Sequence, residues 1–128
     1  MSLAYPLLLL LSSQGVDCAE PMTQRAMNYC AGVEFEEADE ALNIQWNDTA
    51  ARMRRLDAAI TVDDDRPGYF DQLLTAQRAW LSFRDNHCAS VGYYARGGSL
   101  EPLLIATCKT ELTLTRTDQL RALVENPD

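Results

Sequence analysis

The stretch Glu34-Phe35-Glu36-Glu37-Ala38-Asp39-Glu40-Ala41-Leu42, continued through Trp46, Met53 and Leu56 to Ile60, sets apolar side chains mostly three and four positions apart. That spacing brings an apolar residue back to one side of each 3.6-residue turn, so the segment is predicted to form one amphipathic helix of about 25 residues. Asp63-Asp64-Asp65-Arg66-Pro67-Gly68 follows, combining like charges, a proline and a glycine. This ends the helix near Thr61 and makes a loop. A second helix opens around Tyr69 and carries Phe70, Leu73, Gln77, Trp80, Arg84, Cys88, Val91 and Tyr94 or Ala95 on one face, up to the break at Gly97-Gly98. Ser99 can cap a last helix. Its Leu100, Leu103, Leu104, Cys108, Leu112, Leu120 and Leu123 recur at helical spacing around a polar gap at Thr115 and Arg116, and Asn126-Pro127 stops it. Upstream, Pro21 or Thr23 starts a short helix through Met27 and Cys30 that Ala31-Gly32 closes. No segment alternates as a strand does, and no repeat or low-complexity linker divides the chain. The expected fold is all-α: a small disulfide-bonded helical bundle of one short helix plus three long antiparallel helices.

Four cysteines in a chain of 128 residues read as two disulfides of an oxidising compartment. Zinc ligation fits poorly, because no two cysteines are close in sequence and His87 is the only histidine. Cys88 and Cys108 stand nearly equidistant from the Gly97-Gly98 break, level with each other in an antiparallel hairpin, and are expected to pair. Cys18 and Cys30 are then left for each other, which requires the chain before Thr23 to fold back along the short helix. A continuous helix would hold them about 18 Å apart, beyond disulfide reach.

Residues 1–15 carry no charge and contain the run Leu7 to Leu11, followed by Ser12-Ser13-Gln14-Gly15. This reads as a signal peptide missing its basic start, with cleavage after Gly15. The run is far shorter than the roughly 20 residues that span a bilayer, so no stable membrane span is expected. Val16 and Asp17 do not suit lipid attachment at Cys18. The expected division is a signal-peptide remnant over 1–15 and a single helical domain over 16–128, exported to the periplasm or secreted.

Eleven Lys and Arg against nineteen Asp and Glu leave a net charge of −8. A phosphate-tracking nucleic-acid binder needs the opposite sign, and an anionic membrane surface is an unfavourable partner. The balance favours a cationic protein through steering and complementarity.

Reactive chemistry finds little footing. Glu34, Glu36, Glu37, Asp39 and Glu40 offer the carboxylates of a glycosidase or a hard-cation site, but an acidic helix start is also ordinary dipole complement. No second motif supplies an acid with a raised pKa. Asp63-Asp64-Asp65 begins like a calcium loop, yet Pro67 and Leu74 fall at the fifth and twelfth ligand positions. His87 beside Cys88 makes a reactive pair only if that thiol is free. The serines lack a nucleophile-elbow context, and Gly97-Gly98 is too short to cradle phosphate. No enzyme, metal site or cofactor is expected. Gln77 and Arg84 share a face with Trp80 and Cys88, and Asp39 and Asn43 sit similarly on the preceding helix. These polar groups fit an interhelical hydrogen-bond network in which Arg84 pairs with Asp39 or Asp85, since a buried arginine needs a partner. The tip Tyr93-Tyr94-Ala95-Arg96-Gly97-Gly98-Ser99 combines aromatics, an arginine and flexible glycines. It is a candidate partner contact, or a plain helical turn with its cap.

Read in order, Cys30, Asp39-x-x-Leu42-Asn43, Ala76-Gln77-Arg78-Ala79-Trp80, Phe83-Arg84-Asp85-x-x-Cys88, Gly97-Gly98-Ser99, Cys108 and Leu112-Thr113-x-x-Arg116 form a connected string. It resembles the LprI-type domain of bacterial exported proteins over Cys18 to about Leu123. The Ala-Gln-Arg-Ala-Trp run followed by Arg-Asp and cysteine is its most specific part. The chain departs from the family in carrying Trp46 where tyrosine is usual, and in lacking a lipid-attachment cysteine. The family takes its name from a mycobacterial lipoprotein that inhibits lysozyme. The resemblance therefore implies a domain that binds lysozyme stoichiometrically, without catalysis. Asp39, Leu42, Asn43, Gln77, Trp80, Arg84, Asp85, Thr113 and Arg116 are its family-motif residues, with a structural part in the fold. A second reading is a structural or assembly module of the cell envelope that binds an envelope partner. Oligomeric state is open.

Overall fold

Thr23 starts the first helix. Its backbone is extended, at φ −125° and ψ 158°, and its Oγ1 accepts the Ala26 N–H at 3.0 Å, which satisfies one of the donors that a helix N-terminus leaves open. In the computed structural model, which describes residues 15–125, α1 then runs unbroken over Gln24–Ala59. The expected short helix and first long helix are thus one 36-residue rod, and Ala31-Gly32 does not stop it. A helical glycine is less favourable than alanine by only about 1 kcal/mol. Here Cys30, Ala31 and Ala38 are buried on either side of Gly32, and packing overrides that local preference. The arm before α1 turns at residues 18–20 and lies back along the helix, where Cys18 and Cys30 form a disulfide with Cα atoms 5.4 Å apart.

The loop over residues 60–68 leads into α2 (Tyr69–Gly92). Within the loop, Arg66 grips the Asp64 carboxylate with its side chain and its backbone N–H, which holds that carboxyl below its usual pKa. Gly68 supplies no capping side chain for α2. The cap comes from α1: Asp57 Oδ1 accepts the Tyr69 N–H at 2.7 Å and Oδ2 accepts the Phe70 N–H at 3.1 Å. One carboxylate therefore fixes where the chain reverses and complements the α2 dipole. Replacing Asp57 with alanine is expected to lower the free energy of unfolding by about 1 kcal/mol, read from urea denaturation. An unchanged midpoint would show that this cap is dispensable.

A 3-10 turn at Tyr93–Ala95 and Gly97, whose φ of +79° is left-handed, end the second helix. α3 covers Glu101–Glu125. It starts two residues past Ser99, so the expected Ser99 cap is not formed; Leu100 carries the first accepting carbonyl, bonded to Leu104 N–H at 3.2 Å. The Ser99 carbonyl instead accepts from Asn28 Nδ2 at 2.8 Å and ties the turn to α1. Gly92 is buried, and a Cβ there would meet Ile105 Cγ1 at 2.5 Å. Its missing side chain lets α2 and α3 approach closely beside a second disulfide, Cys88–Cys108, with Cα atoms 5.5 Å apart. The expected stop at Asn126-Pro127 lies outside the described residues, as do residues 1–14.

Consecutive helices run antiparallel, while α1 and α3 run parallel. Two hydrogen bonds show this register, Asn28 Nδ2 to Ser99 O and Thr49 Oγ1 to Leu120 O, each joining residues 71 apart. The core comprises Leu42, Met53, Leu73 and Leu120, with Trp46, Leu56, Phe70 and Trp80 around it. On α3 the buried side chains are Thr113, Thr117 and Leu120, whereas Leu114 and Leu123 are exposed. The leucine face read from the sequence is therefore rotated. Threonines fit the close α1–α3 contact because their hydroxyls find partners inside: Thr49 donates to Leu120 O at 2.9 Å and Thr117 to Thr113 O at 3.0 Å. Among the described residues, no helix is long and apolar enough to cross a membrane.

Candidate functional site

Helical spacing on α2 places Gln77, Trp80, Arg84 and Cys88 in one row toward the other helices. Arg84 is only 7% exposed and lies at the centre of a polar strip. Its Nε donates to Asp85 Oδ1 at 3.0 Å, and one terminal nitrogen reaches Asp39 Oδ1 and Thr113 Oγ1, both at 3.4 Å. The guanidinium carbon also sits 5.1 Å from the Phe35 ring centre and 5.2 Å from that of Trp80. Charge-assisted hydrogen bonds and two aromatic faces thus replace the water that burial removes. Lys109 joins at the edge, 3.7 Å from Asp85 Oδ1. Further along, Arg116 Nε donates to Gln77 Oε1 at 2.9 Å and its terminal nitrogen to Gln119 Oε1 at 3.2 Å. Burial pushes the Arg116 guanidinium below its ordinary pKa.

Seven family-motif residues meet in this strip: Asp39, Gln77, Trp80, Arg84, Asp85, Thr113 and Arg116. Leu42 belongs to the apolar core instead. Asn43, expected among the inward polar groups, is exposed, and its side chain hydrogen-bonds to no described residue. One residue further on means about 100° round the helix from buried Leu42, which turns it away from the interior. Phe35, read from the sequence only as part of an apolar face, is a wall for the guanidinium. Its position four residues before Asp39 is the signal that pairs them on one side of α1. Thr49 and Asp57 had no comparable signal, because both act on a partner distant in sequence.

The hairpin tip is a different environment. Tyr93 is 57% and Tyr94 90% exposed, and Arg96 lies over the Tyr93 ring at 4.6 Å. Arg96, Gly97, Gly98 and Ser99 are exposed as well. The Asn28–Ser99 bond sets this tip beside the start of α1, where Met22 and Tyr29 are also exposed. Glu34, Glu36, Glu37 and Glu40 expose their side chains further along the same helix. Aromatic and acidic surfaces therefore share the disulfide-bonded half of the bundle. His87 stacks on Phe83 with ring centres 5.2 Å apart, and its neighbour Cys88 is disulfide-bonded. Among the described residues there is no free cysteine and no group of three or more side chains suited to hold a metal ion.

A bundle of three helices and two disulfides, closed around a buried arginine and carrying exposed Tyr93 and Tyr94 at one end, defines a small disulfide-bonded helical domain. The chain belongs to the LprI family, since the family described as lysozyme inhibitor LprI matches residues 17–120. It is also similar to an uncharacterized protein of Rhizobium meliloti (strain 1021). That similarity is 37% identity over 113 residues, 88% of this chain and 81% of the relative. No solved structure matches.

Proposed function

We propose that the chain is an exported inhibitor of a cationic lysozyme, acting as one domain over residues 16–128 by stoichiometric docking and not by chemistry. The observation that carries this reading is the exposed pair Tyr93 and Tyr94, set beside Arg96 in the half of the bundle that also exposes the acidic side chains of α1. Tyrosine and arginine are the side chains that anchor interfaces, because each buries a large area with few torsions to freeze or with several donors to satisfy. The net charge of −8 attracts a basic enzyme from a distance, and the acidic side chains of α1 complement it on contact. Membership of the LprI family names lysozyme as the partner to test first. The inward cluster serves this role indirectly, by holding the helices that carry the surface.

The test is lysis of bacterial cell walls by a cationic lysozyme, followed as turbidity, with increasing amounts of the purified chain. Inhibition that completes near one chain per enzyme is the expected result. No inhibition across several lysozyme types overturns the proposal and directs the search to envelope partners. Tyr94→Ala is expected to raise the half-inhibiting concentration by about 30-fold, as removal of an interface anchor of roughly 2 kcal/mol does. Its circular dichroism is expected to stay unchanged, because the replaced side chain lies almost wholly in solvent. Equal potency of the variant would remove the tip from the interface.

A further inference from the structure

The opposite half of the bundle carries an open apolar groove of about 450 Å³, within the roughly 300–1,000 Å³ of small-molecule sites. Met53, Leu56, Leu73, Ala76 and Leu123 form its walls, and Arg116 is its one charged lining residue. We propose that this groove binds a medium-chain fatty acid, with the carboxylate on Arg116 and the alkyl chain along α2 and α3 toward Leu123.

Arg84, Arg66 and Arg121 are each paired with a carboxylate, Asp39 and Asp85, Asp64, and Asp118 respectively. Arg116 is half-buried, and it donates to the neutral amide oxygens of Gln77 and Gln119; no carboxylate pairs with it among the described residues. Burial lowers its pKa with no acid to offset the loss of water. A half-buried cation without a counter-ion is relieved by an anion, and the guanidinium fork suits a carboxylate. Asp57 is engaged with the start of α2 and Asp118 with Arg121.

Arg116 and Leu123 lie seven residues apart on α3, or about 10 Å along its axis. Over that length the walls are mostly side-chain carbon. Such a surface suits an alkyl chain better than a peptide, whose backbone needs hydrogen-bonding partners along its course.

Isothermal titration of the full chain with decanoate, below its micelle concentration, tests the proposal against methyl decanoate and decyltrimethylammonium, which keep the tail and remove or reverse the head charge. Decanoate is expected to bind saturably and about tenfold or more tightly than either, the size of one charge-assisted hydrogen-bonded pair. Arg116→Gln is expected to erase that preference. Leu123→Glu, at a side chain already 42% exposed, is expected to abolish decanoate binding while leaving the helical spectrum intact. Absence of saturable binding, equal affinity for the three amphiphiles, or unchanged decanoate binding in folded Leu123→Glu overturns the proposal.

Discussion

Arg84→Ala is expected to lower the free energy of unfolding by about 3 kcal/mol, the largest effect of any single interior substitution considered. Three losses combine. The donors to Asp39, Asp85 and Thr113 disappear, and Thr113, which is fully buried, loses its link to α2. The space between Phe35 and Trp80 is emptied, which leaves two aromatic faces without contact. The strip that ties α2 to both neighbours is cut at its centre. Arg84→Met separates the contributions, because it refills much of the volume and leaves Asp39 and Asp85 to be hydrated at the surface. Methionine is therefore expected to retain more stability than alanine. Urea denaturation with a common slope reads both values. An alanine midpoint equal to the wild type would show that the buried arginine contributes nothing to stability.

Removing the Cys88–Cys108 disulfide, by Cys88→Ala with Cys108→Ala, is expected to destabilise the chain by about 3 kcal/mol, the closure entropy of a loop of this length. The cross-link spans a sequence separation of 20 and joins two core helices, and Cys88 is wholly buried. Its loss therefore acts on global unfolding. The Cys18–Cys30 disulfide, with a separation of 12, behaves differently, because residues 15–20 of the arm it holds are exposed. Without it the arm can open while the bundle stays folded, so Cys18→Ala is expected to speed proteolysis near the arm with a smaller change in melting temperature. Equal losses of melting temperature from the two disulfides would contradict this division.

The long-range order of the bundle was readable where one local cause dominated. Apolar spacing on α1 and α2, the Pro67-Gly68 loop and the left-handed Gly97 each act within a few residues, and each left a mark in the sequence. Arg84 was readable for the same reason, as a cation on an otherwise inward face. Gly32 misled because a helix stop is worth only about 1 kcal/mol, less than the packing of the alanines and cysteine beside it. The orientation of α3 was hidden by its composition. Leu114 and Leu123 lie exposed, while Thr113 and Thr117 are buried with Leu120. Arg116 looked like an interruption of the apolar pattern and is a half-buried cation held by two amides. Asp57 was silent, since a cap supplied by another helix has no local signature.

The proposed inhibition needs the acidic, aromatic-tipped surface to dock on a basic enzyme. Its most direct test is calorimetric titration of a cationic lysozyme into the purified chain at low and at near-physiological salt. One-to-one binding that weakens as the Debye length shrinks from about 30 Å at 0.01 M to about 8 Å at 0.15 M is the predicted result. Absence of binding, or an affinity indifferent to salt, would contradict it.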